Sequence, residues 1–379
     1  MINVCYPFVG DSIGGSHISA VTLIKSIRET RPEIQPSVIV FCADKDFTAY
    51  LSKSNIPYYD IGLKLSKSSK IGIVLDVCRS FFKLIQLLRN ERIDIVHTND
   101  LRVNLIFLVA CKFSSAKHLW HQRTSMPKSI LGQRIFLLCD KFVTVSNFVS
   151  SQIRIRTQMK KVCRVYNPID AYAATPEELT KRVDSFKKKP AVVAFIANIT
   201  AQKNANVFVN IAQMAVSERL CDFEFVMIGR SNEAFRREIQ SLRSRGELDD
   251  SFRMLGFRED IDECLTKVDF LIVPAEGDGF GRTLIESMRA GVVVLAYDSG
   301  GHAEIIEHNF SGVLVKNLNA RCFLDSLIKI QKDKKLFESL LRNAHKHAIS
   351  MYTVEQHTSE LCDIYHSMLK DSEIHLRTG

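Results

Sequence analysis

The residues best suited to chemistry lie in the segment PAEGDGFGRTLIESMRAGV, which spans positions 274–292. The strand FLIVP ends at Pro274, and a glycine-rich loop precedes a helix that begins near Gly281. Free backbone amides at a helix start, together with the Arg282 guanidinium, favour anion binding. Glu286 falls about one turn after Arg282, where its carboxylate can accept hydrogen bonds from a vicinal diol. The segment therefore predicts a site for the phosphates and ribose of a nucleotide, lined by Gly279, Phe280, Gly281, Arg282, Thr283 and Glu286.

Several other polar or glycine residues follow predicted strands. Lys203 begins a helix after the strand AVVAFIA, within reach of a phosphate, although an ordinary surface lysine fits the same position. Gly14 and Gly15 separate the first strand from the first helix. They could let the backbone approach a phosphate closely, or they could simply form the turn between the two elements. His121 ends the strand AKHLWH, where an imidazole can serve acid–base chemistry or donate a hydrogen bond. A structural role is the alternative for His121 and, more strongly, for His97.

Strands alternate with helices in both halves of the chain, which predicts right-handed β-α-β units and parallel sheets. The predicted fold class is α/β, with two Rossmann-like, doubly wound domains facing a central cleft. Ligands of such sheets lie beyond the carboxyl ends of the strands, where the residues above are found. The predicted parts are an N-terminal domain at 1–168, a linker with a short helix at 169–190, a C-terminal domain at 191–350 and a final helix within 351–379.

The composition sets limits on the class of protein. The 379 residues are 46% apolar and 25% charged, as in ordinary folded proteins, and suffice for two domains. No apolar run approaches the roughly 20 residues that a spanning helix needs, and the first residues do not resemble a secretory signal. The ten cysteines are scattered without a C-x-x-C pair, which argues against a zinc site or a disulfide framework and favours a reducing cytoplasm.

The net charge of +9 is unevenly distributed. Residues 101–169 contain twelve basic residues and one acidic residue, Asp140, so they carry +11 while the rest of the chain carries −2. This asymmetry indicates an anionic partner such as a phosphate ligand, lipid head groups or nucleic acid, and a solvated basic face is the alternative. The basic residues are not interleaved with stacking aromatics and no nucleic-acid motif is present, so a nucleic-acid partner is not expected.

The segment DGFGRTLIESMRAGVVVLAYDSGGHAEII resembles the nucleotide-sugar-binding signature of glycosyltransferase family 4, whose members are retaining enzymes with the GT-B fold. The resemblance extends over nearly the whole chain. FVGDSIGGSHISA is similar to the glycine loop of that family, DIVHTND to its D-[IV]-[VI]-H-x-H motif, and FRMLGFRED to its base-binding loop. TVSNFVSSQI with VYNPID is similar to the crossover segment, and SMYTVEQHTSELCDIYHSML to the closing helices, which return to the first domain.

The resemblance implies a role for each matching residue. Glu286 would hold the ribose hydroxyls, and Asp278 would contact the donor sugar. Lys203 and the amides near Gly281 would neutralise the diphosphate, while His121 would hydrogen-bond the transferring sugar. The glycine loop, with Gly14 and Gly15, would close over the diphosphate and sugar.

The sequence also departs from the family pattern. Asp278 stands where the first glutamate of E-x7-E is usual, and Asn198 stands where the family has a phosphate-binding arginine. Asn99 replaces the second histidine of D-[IV]-[VI]-H-x-H. These departures bear on the choice of sugar and on rate more than on fold.

The predicted function is retaining transfer of a sugar from a nucleotide-diphosphate sugar to a glycan or lipid-linked acceptor in cell-envelope polysaccharide assembly: lipopolysaccharide, capsule or exopolysaccharide. No second carboxylate is evidently placed as a nucleophile, so front-side transfer assisted by the leaving phosphate is favoured. His121, Asp278 and Lys203 form the predicted catalytic set.

No cofactor is expected besides the nucleotide-sugar co-substrate. The triplet Asp44-Lys45-Asp46 has a central lysine, so it is interpreted as a solvated turn and not as a metal site. The expected location is the cytoplasm, with peripheral attachment to the anionic inner face of the plasma membrane. The alternatives are a nucleotide-sugar epimerase, an inverting GT-B transferase and a non-catalytic module that binds anionic surfaces or nucleic acid.

Overall fold

The computed structural model describes residues 1–10, 13–41, 45–63, 65 and 70–377. The chain divides into two compact units. The first consists of Met1–Asp170 together with Thr353–Gly379, and the second consists of Ala171–Tyr352. The predicted linker residues from 171 to 190 thus belong to the second unit, and the C-terminal segment belongs to the first.

The first unit is built on seven parallel strands. They are β1 (Ile2–Phe8), β2 (Ile34–Val40), β3 (Tyr59–Asp60), β4 (Ile95–Thr98), β5 (Lys117–Gln122), β6 (Lys141–Thr144) and β7 (Val162–Arg164). Their order across the sheet is β3-β2-β1-β4-β5-β6-β7. The strand order reverses beside β1, which places the topological switch point between β1 and β4.

Helices pack against this sheet and connect its strands. They are α1 (Gly15–Thr30), α2 (Lys45–Lys53), α3 (Lys70–Asn90), α4 (Leu101–Lys112), α5 (Ile130–Phe136), α6 (Asn147–Ser151), a 3-10 helix (Arg156–Lys161) and the C-terminal α15 (Val354–Arg377). Leu361 and Tyr365 of α15 are fully buried in one apolar cluster with residues of β1 and α1. Because side chains four residues apart share a helix face, this face of α15 completes the core of the first unit.

The second unit is built on six parallel strands. They are β8 (Ala191–Ile196), β9 (Phe223–Ile228), β10 (Phe252–Gly256), β11 (Phe270–Val273), β12 (Val293–Tyr297) and β13 (Val313–Val315). Their order is β10-β9-β8-β11-β12-β13, so this sheet also reverses beside its first strand. The expectation of two doubly wound parallel sheets is confirmed.

The helices of the second unit include one that the sequence assigned to a linker. They are α7 (Pro176–Ser185), α8 (Ala205–Ser217), α9 (Glu233–Ser244), α10 (Ile261–Thr266), α11 (Arg282–Arg289), α12 (His302–Ile305), α13 (Ala320–Lys332), α14 (Lys334–Met351) and a 3-10 helix (Ala201–Lys203). Leu179 and Val183 of α7 are buried in the core of this unit. Arg182 donates hydrogen bonds of 2.6 and 2.7 Å to the carbonyls of Val268 and Leu265. Apolar packing and these bonds hold α7 on the domain.

Other differences from the predicted elements are local. Strand β2 pairs with β1 along its whole length, from the pair Ile2 and Ile34 to the pair Phe8 and Val40. Lys45 and Asp46 begin helix α2 and do not form the predicted turn, and Asp44 lies outside the described residues. Among the described residues, no helix is long and apolar enough to cross a membrane.

Candidate active site

The glycine-rich loop lies where strand β11 ends and helix α11 begins. Gly281 caps α11 with a φ of 99°, in the left-handed region that favours glycine. A Cβ at this position would lie 2.9 Å from Leu284 Cδ1, so a larger residue would also crowd the helix. The first amides of α11 and its positive dipole end thus stand at the carboxyl edge of the sheet.

A second glycine loop supports the first. The amide of Gly301 donates to the carbonyl of Asp278 at 2.8 Å, and the amide of Gly277 donates to Ser299 Oγ at 3.0 Å. Gly300 has a φ of 68°, and a Cβ there would lie 2.4 Å from the carbonyl oxygen of Asp278. Only glycine allows these two loops to approach so closely, which fixes the backbone that carries Asp278.

Lys203 and Asp278 form an ion pair at this edge. The distance from Lys203 Nζ to Asp278 Oδ2 is 2.7 Å, and the two side chains are 30% and 25% exposed. Lys203 is the last residue of a single 3-10 turn after β8, and Asn204 ends that turn with a φ of 50°. Lys203, Asp278, Gly281 and Thr283 line one depression at the carboxyl ends of β8 and β11. The structure therefore brings Lys203 together with three predicted residues of the glycine-rich segment.

Arg282 and Glu286, which lie one helical turn apart on α11, form a second ion pair. Arg282 Nε lies 2.7 Å from Glu286 Oε1, and the side chains are 15% and 18% exposed. Burial raises the pKa of Glu286 above its usual value, and the adjacent guanidinium opposes that rise. The carboxylate is thus largely removed from water and keeps oxygen lone pairs available for further donors.

Asn198, Gly279 and Phe280 complete the predicted set in this unit. The Asn198 side chain is exposed and its Oδ1 accepts a 3.1 Å hydrogen bond from the backbone amide of Arg230. The Arg230 guanidinium stacks 4.4 Å above the ring of Phe257, which follows β10. Gly279 and Phe280 are buried in the loop before α11. Asn198 thus joins the loops after β8 and β9, beside the segment that resembles a base-binding loop.

His302 is a buried residue of this edge that the sequence reasoning missed. Its Nδ1 lies 2.8 Å from the carbonyl of Tyr297, and its Nε2 has no hydrogen-bond partner among the described residues. Burial lowers the pKa of His302, so the ring is neutral with its proton on Nδ1. A Cβ on Gly281 would lie 3.3 Å from the His302 ring, which therefore packs against the start of α11. The sequence signal that could have identified His302 is its position in the GGHAE segment, directly after two glycines.

Gly14 and Gly15 begin helix α1 in the first unit. Gly14 is the N-cap, with an extended backbone (φ −139°) that any residue can adopt, and Gly15 is the first helical residue. The backbone amide of Gly14 donates to His17 Nδ1 at 3.2 Å. Gly14 and Gly15 thus lie in a plain turn from strand to helix, and the backbone of Gly14 does not require glycine. A close approach to a ligand stays a prediction for both glycines.

His121 is the penultimate residue of β5 in the same unit, and its side chain is only 1% exposed. Its Nδ1 lies 3.1 Å from His97 Nε2, and His97 Nδ1 lies 2.6 Å from the hydroxyl of Tyr365. The Nε2 atom of His121 has no hydrogen-bond partner among the described residues. Burial lowers the pKa of both imidazoles well below the usual value. The two histidines are thus neutral, and a hydrogen bond joins their rings.

Two more polar residues surround this histidine pair. His357 of α15 is buried, its ring is stacked 6.2 Å from that of His121, and its Nδ1 lies 2.5 Å from the carbonyl of Tyr166. Arg123, just after β5, donates to the side-chain oxygens of Asn99 and Asn167. The sequence reasoning assigned neither residue a role. The spacing of His357, Leu361 and Tyr365 along one helix face could have identified the first.

Two family models match the chain, one in each unit. The model described as "Glycosyltransferase Family 4" matches residues 13–172, and the model described as "Glycosyl transferases group 1" matches residues 177–347.

Whole-length relatives have related names. The chain is 19% identical to the Escherichia coli protein "UDP-Gal:alpha-D-GlcNAc-diphosphoundecaprenol alpha-1,3-galactosyltransferase", over 93% of this chain and 97% of that protein. It is 22% identical to the Campylobacter jejuni protein "N,N'-diacetylbacillosaminyl-diphospho-undecaprenol alpha-1,3-N-acetylgalactosaminyltransferase", over 86% of this chain and 89% of that protein. Among solved structures, the Anabaena protein HepE in complex with UDP and glucose superposes with a TM-score of 0.78 at 17% identity, covering 97% of this chain and 100% of HepE.

Proposed function

Because the chain belongs to the glycosyltransferases of family 4 and has the GT-B fold, we propose that it transfers a sugar from a nucleotide-diphosphate sugar to a glycan or lipid-linked acceptor, with retention of anomeric configuration. The observation that carries the proposal is the pair of ion pairs, Lys203 with Asp278 and Arg282 with Glu286, at the carboxyl edge of the second sheet. The E. coli and C. jejuni relatives are named for undecaprenol-linked acceptors, which supports a role in cell-envelope polysaccharide assembly.

The ion pairs fit the charges of a departing nucleoside diphosphate. Negative charge grows on the diphosphate as the glycosidic bond breaks, and Lys203, Arg282 and the first amides of α11 would offset it. Such preorganised donors lower the barrier, and loss of one costs about 3–4 kcal/mol. Glu286 would accept hydrogen bonds from the ribose hydroxyls, and Asp278 would accept one from a sugar hydroxyl while it orients Lys203. No metal ion is needed in this scheme, because the two cations neutralise the phosphates.

Retention is proposed as a front-side displacement. Asp278 is engaged by Lys203 at 2.7 Å, so its carboxylate serves that cation and is a poor candidate for a covalent nucleophile. In the front-side path the acceptor hydroxyl attacks the face from which the diphosphate leaves, and a phosphate oxygen takes its proton. His121 would donate a hydrogen bond from its remaining ring nitrogen to the transferring sugar.

Attachment to an anionic membrane is part of the proposal, and the structure offers a surface for it. Helix α5 and the residue-138 turn expose apolar side chains, and Leu131 is 70% exposed. We call these apolar side chains and their exposed basic neighbours the docking face. Its members are Ile130, Leu131, Ile135, Leu138 and Met159, with Lys128, Arg134, Arg154, Arg156 and Lys160. A mixed apolar and cationic surface of this kind fits the interface of an anionic bilayer, at about 1 kcal/mol for each basic residue near the membrane.

Hydrogen bonds unite the docking face into one surface. Gln133 of α5 donates to the carbonyl of Gln152 and accepts from the amide of Arg154. Lys161, at the end of the 3-10 helix, donates to the carbonyls of Leu137 and Cys139. Helix α5 follows β5 in the chain, so one loop connects the docking face to the strand that carries His121. A lipid-linked acceptor bound there would present its polar end to the carboxyl edge of the sheet.

Turnover and product stereochemistry test the transferase proposal. Purified protein is incubated with each of several UDP-, GDP- and ADP-sugars and an undecaprenyl- or short-chain polyprenyl-diphosphate sugar, and the product anomer is read by NMR. We expect transfer from one donor with the anomeric configuration kept. An inverted product would identify an inverting transferase, and conversion of the donor without acceptor would identify an epimerase. Nucleic-acid binding at physiological salt without any transfer would favour the binding-module alternative.

Vesicle flotation tests the docking face. We expect the protein to float with vesicles of phosphatidylglycerol and phosphatidylcholine at low salt, and not with phosphatidylcholine alone. Leu131→Glu should abolish flotation because it places a charge in the apolar face. Phe310→Glu is the matched control, since Phe310 is an exposed aromatic residue of the second unit. Equal flotation of the wild type and Leu131→Glu would remove the docking face and leave the transferase assay unaffected.

A further inference from the structure

Glu286 carries its carboxyl group in a place with little water. Its side chain is 18% exposed, and its helix α11 packs against β11, β12, α12 and α14. Burial disfavours the ionised form of a carboxyl group, and it raises the pKa of Glu286 above its usual value. Because the diol of a ribose is best held by a full carboxylate, the charge state of Glu286 matters for the proposed site.

Two charged groups among the described residues act on this carboxyl group. Arg282 Nε lies 2.7 Å from Glu286 Oε1, and the positive charge of Arg282 lowers the pKa of Glu286. Asp262 of α10 has the opposite effect, because a second negative charge nearby opposes ionisation. Loss of Arg282 would therefore leave Glu286 facing another acid without a cation, which favours its protonated form.

Titratable groups on the elements around α11 have other partners. His345 Nδ1 of α14 lies 2.8 Å from a carbonyl at the end of α11, and His302 Nδ1 of α12 lies 2.8 Å from a carbonyl of β12. In the loop before α11, Asp278 pairs with Lys203. Strands β11 and β12 contain no charged residue. Within the described part of the chain, the guanidinium that follows Gly281 is thus the cation placed against Glu286.

The position of Arg282 in its helix is unfavourable for a cation. Arg282 is the first residue of α11, directly after the cap Gly281, and the amino end of a helix carries a partial positive charge. In isolated helices, an ion pair four residues apart is also weaker when the basic residue comes first. Helix formation by itself therefore does not favour arginine at this position, whereas a role at the carboxylate of Glu286 accounts for it.

We propose that Arg282 is a positioning residue for Glu286: its positive charge keeps the buried carboxylate ionised, so that the remaining oxygen lone pairs can accept hydrogen bonds from a vicinal diol. The inference rests on the proposed function for the identity of that diol, the ribose of the donor, but not for the charge of Glu286. It gives Arg282 a part at the ribose, in addition to its proposed part at the diphosphate.

The charge of Glu286 can be measured without any ligand. In protein labelled with ¹³C at the glutamate carboxyl groups, the NMR signal of Glu286 is followed from about pH 4 to pH 8 and is assigned by its loss in Glu286→Gln. We expect the pKa of Glu286 to be about 1–3 pH units higher in Arg282→Met than in the wild type, as for removal of an adjacent opposite charge. Arg282→Lys retains the charge and should restore most of the wild-type titration. Arg282→Gln serves as a second neutral variant if Arg282→Met folds poorly.

Nucleotide binding supplies the second readout. UDP, GDP and ADP are titrated calorimetrically into the wild type and the variants at pH 6 and at pH 8. As the pH falls, Glu286 of Arg282→Met takes up a proton at a higher pH than in the wild type, and the protonated group holds a diol less well. The affinity of this variant relative to the wild type should therefore be lower at pH 6 than at pH 8, by up to about tenfold for each pH unit over which its Glu286 titrates.

Arg342→Met is the matched control. Arg342 of α14 pairs with Glu338, four residues away, at 2.8 Å, but both side chains are exposed. Its loss should change neither the Glu286 titration nor the binding of nucleotides.

An unchanged titration of Glu286 in Arg282→Met would overturn the proposal, and so would a loss of nucleotide affinity that is equal at the two pH values. Absence of nucleotide binding by the wild type would count against the proposed function instead. The NMR titration needs no ligand, so it would still decide whether Arg282 sets the charge of Glu286.

Discussion

The candidate residues of the two units differ in whether they are charged and in how deeply they are buried. At the sheet edge of the second unit, Lys203 and Arg282 pair with Asp278 and Glu286 as ions that remain partly exposed. In the first unit, His97, His121 and Tyr365 are fully buried, uncharged and joined by hydrogen bonds. The comparison teaches that full charges stand where a diphosphate would be held, whereas neutral groups of fixed orientation stand where sugar hydroxyls would be recognised.

The same difference sets the response of each unit to acid. Among the buried histidines in the described part of the first unit, four are held neutral: burial lowers the pKa of His118 and of His357 to about 3 and those of His97 and His121 well below their usual value. The unfolded chain binds protons at these residues below about pH 6.5, and the folded chain does not. Stability contributed by these groups is therefore present above pH 6.5 and is lost as the pH falls from there toward the folded values.

The largest expected effect is thus acid destabilisation of the first unit. Each neutral histidine costs about 1.4 kcal/mol for each pH unit below 6.5, so four of them cost up to about 5 kcal/mol between pH 7.5 and 5.5. Trp120 is the single tryptophan of the chain and is buried on β5, so its fluorescence during urea unfolding reports on this unit. A urea midpoint that does not move between these pH values would contradict the neutral, buried histidines.

Loss of a charge in the second unit should be next in size and should affect transfer more than folding. Lys203→Ala and Glu286→Ala are each expected to lower kcat/KM about 10²–10³-fold, as for loss of one preorganised electrostatic group. Lys267→Ala is the control. Lys267 forms a 2.9 Å ion pair with Glu263 that is exposed on the surface, so its loss should leave transfer unchanged. Turnover close to wild type in Lys203→Ala or Glu286→Ala would remove the site assignment.

Substitution of the neutral histidine should have a smaller effect. His121→Asn is expected to lower kcat/KM about tenfold, because one hydrogen bond to the sugar is lost without loss of a charge. The kcat/KM of His121→Asn and that of Lys203→Ala are measured side by side, at the same pH and over the same series of donor concentrations. A loss from His121→Asn larger than that from Lys203→Ala would reverse the proposed division between charged and neutral recognition.

The predictable parts of the site are those that depend on local spacing. Arg282 and Glu286 are four residues apart on one helix, so their sequence separation alone places them side by side. The loop before α11 was equally predictable from sequence, because its glycines directly follow the strand β11 in the chain. The ion pair between Lys203 and Asp278 joins residues 75 positions apart. Their positions after predicted strands and the resemblance to a family indicated the shared edge, but no local spacing predicted the contact.

The parts that sequence reasoning missed depend on distant contacts. The hydrogen bond between Tyr365 and His97 spans 268 residues, and that between His357 and the carbonyl of Tyr166 spans 191. No local pattern encodes them, although the resemblance to the closing helices of the family implied that this helix returns to the first domain. Helix α7 was assigned to a linker because its sequence is mostly polar, yet Leu179 and Val183 at a spacing of four were enough to attach it to the second core.

Calorimetric titration with UDP, GDP and ADP tests most directly whether the charged edge of the second unit binds a nucleoside diphosphate. We predict one-to-one binding of at least one of the three by the wild type, and strongly weakened binding by Glu286→Ala and by Lys203→Ala under the same conditions. No heat with any of the three, or unchanged affinity in both variants, would contradict it.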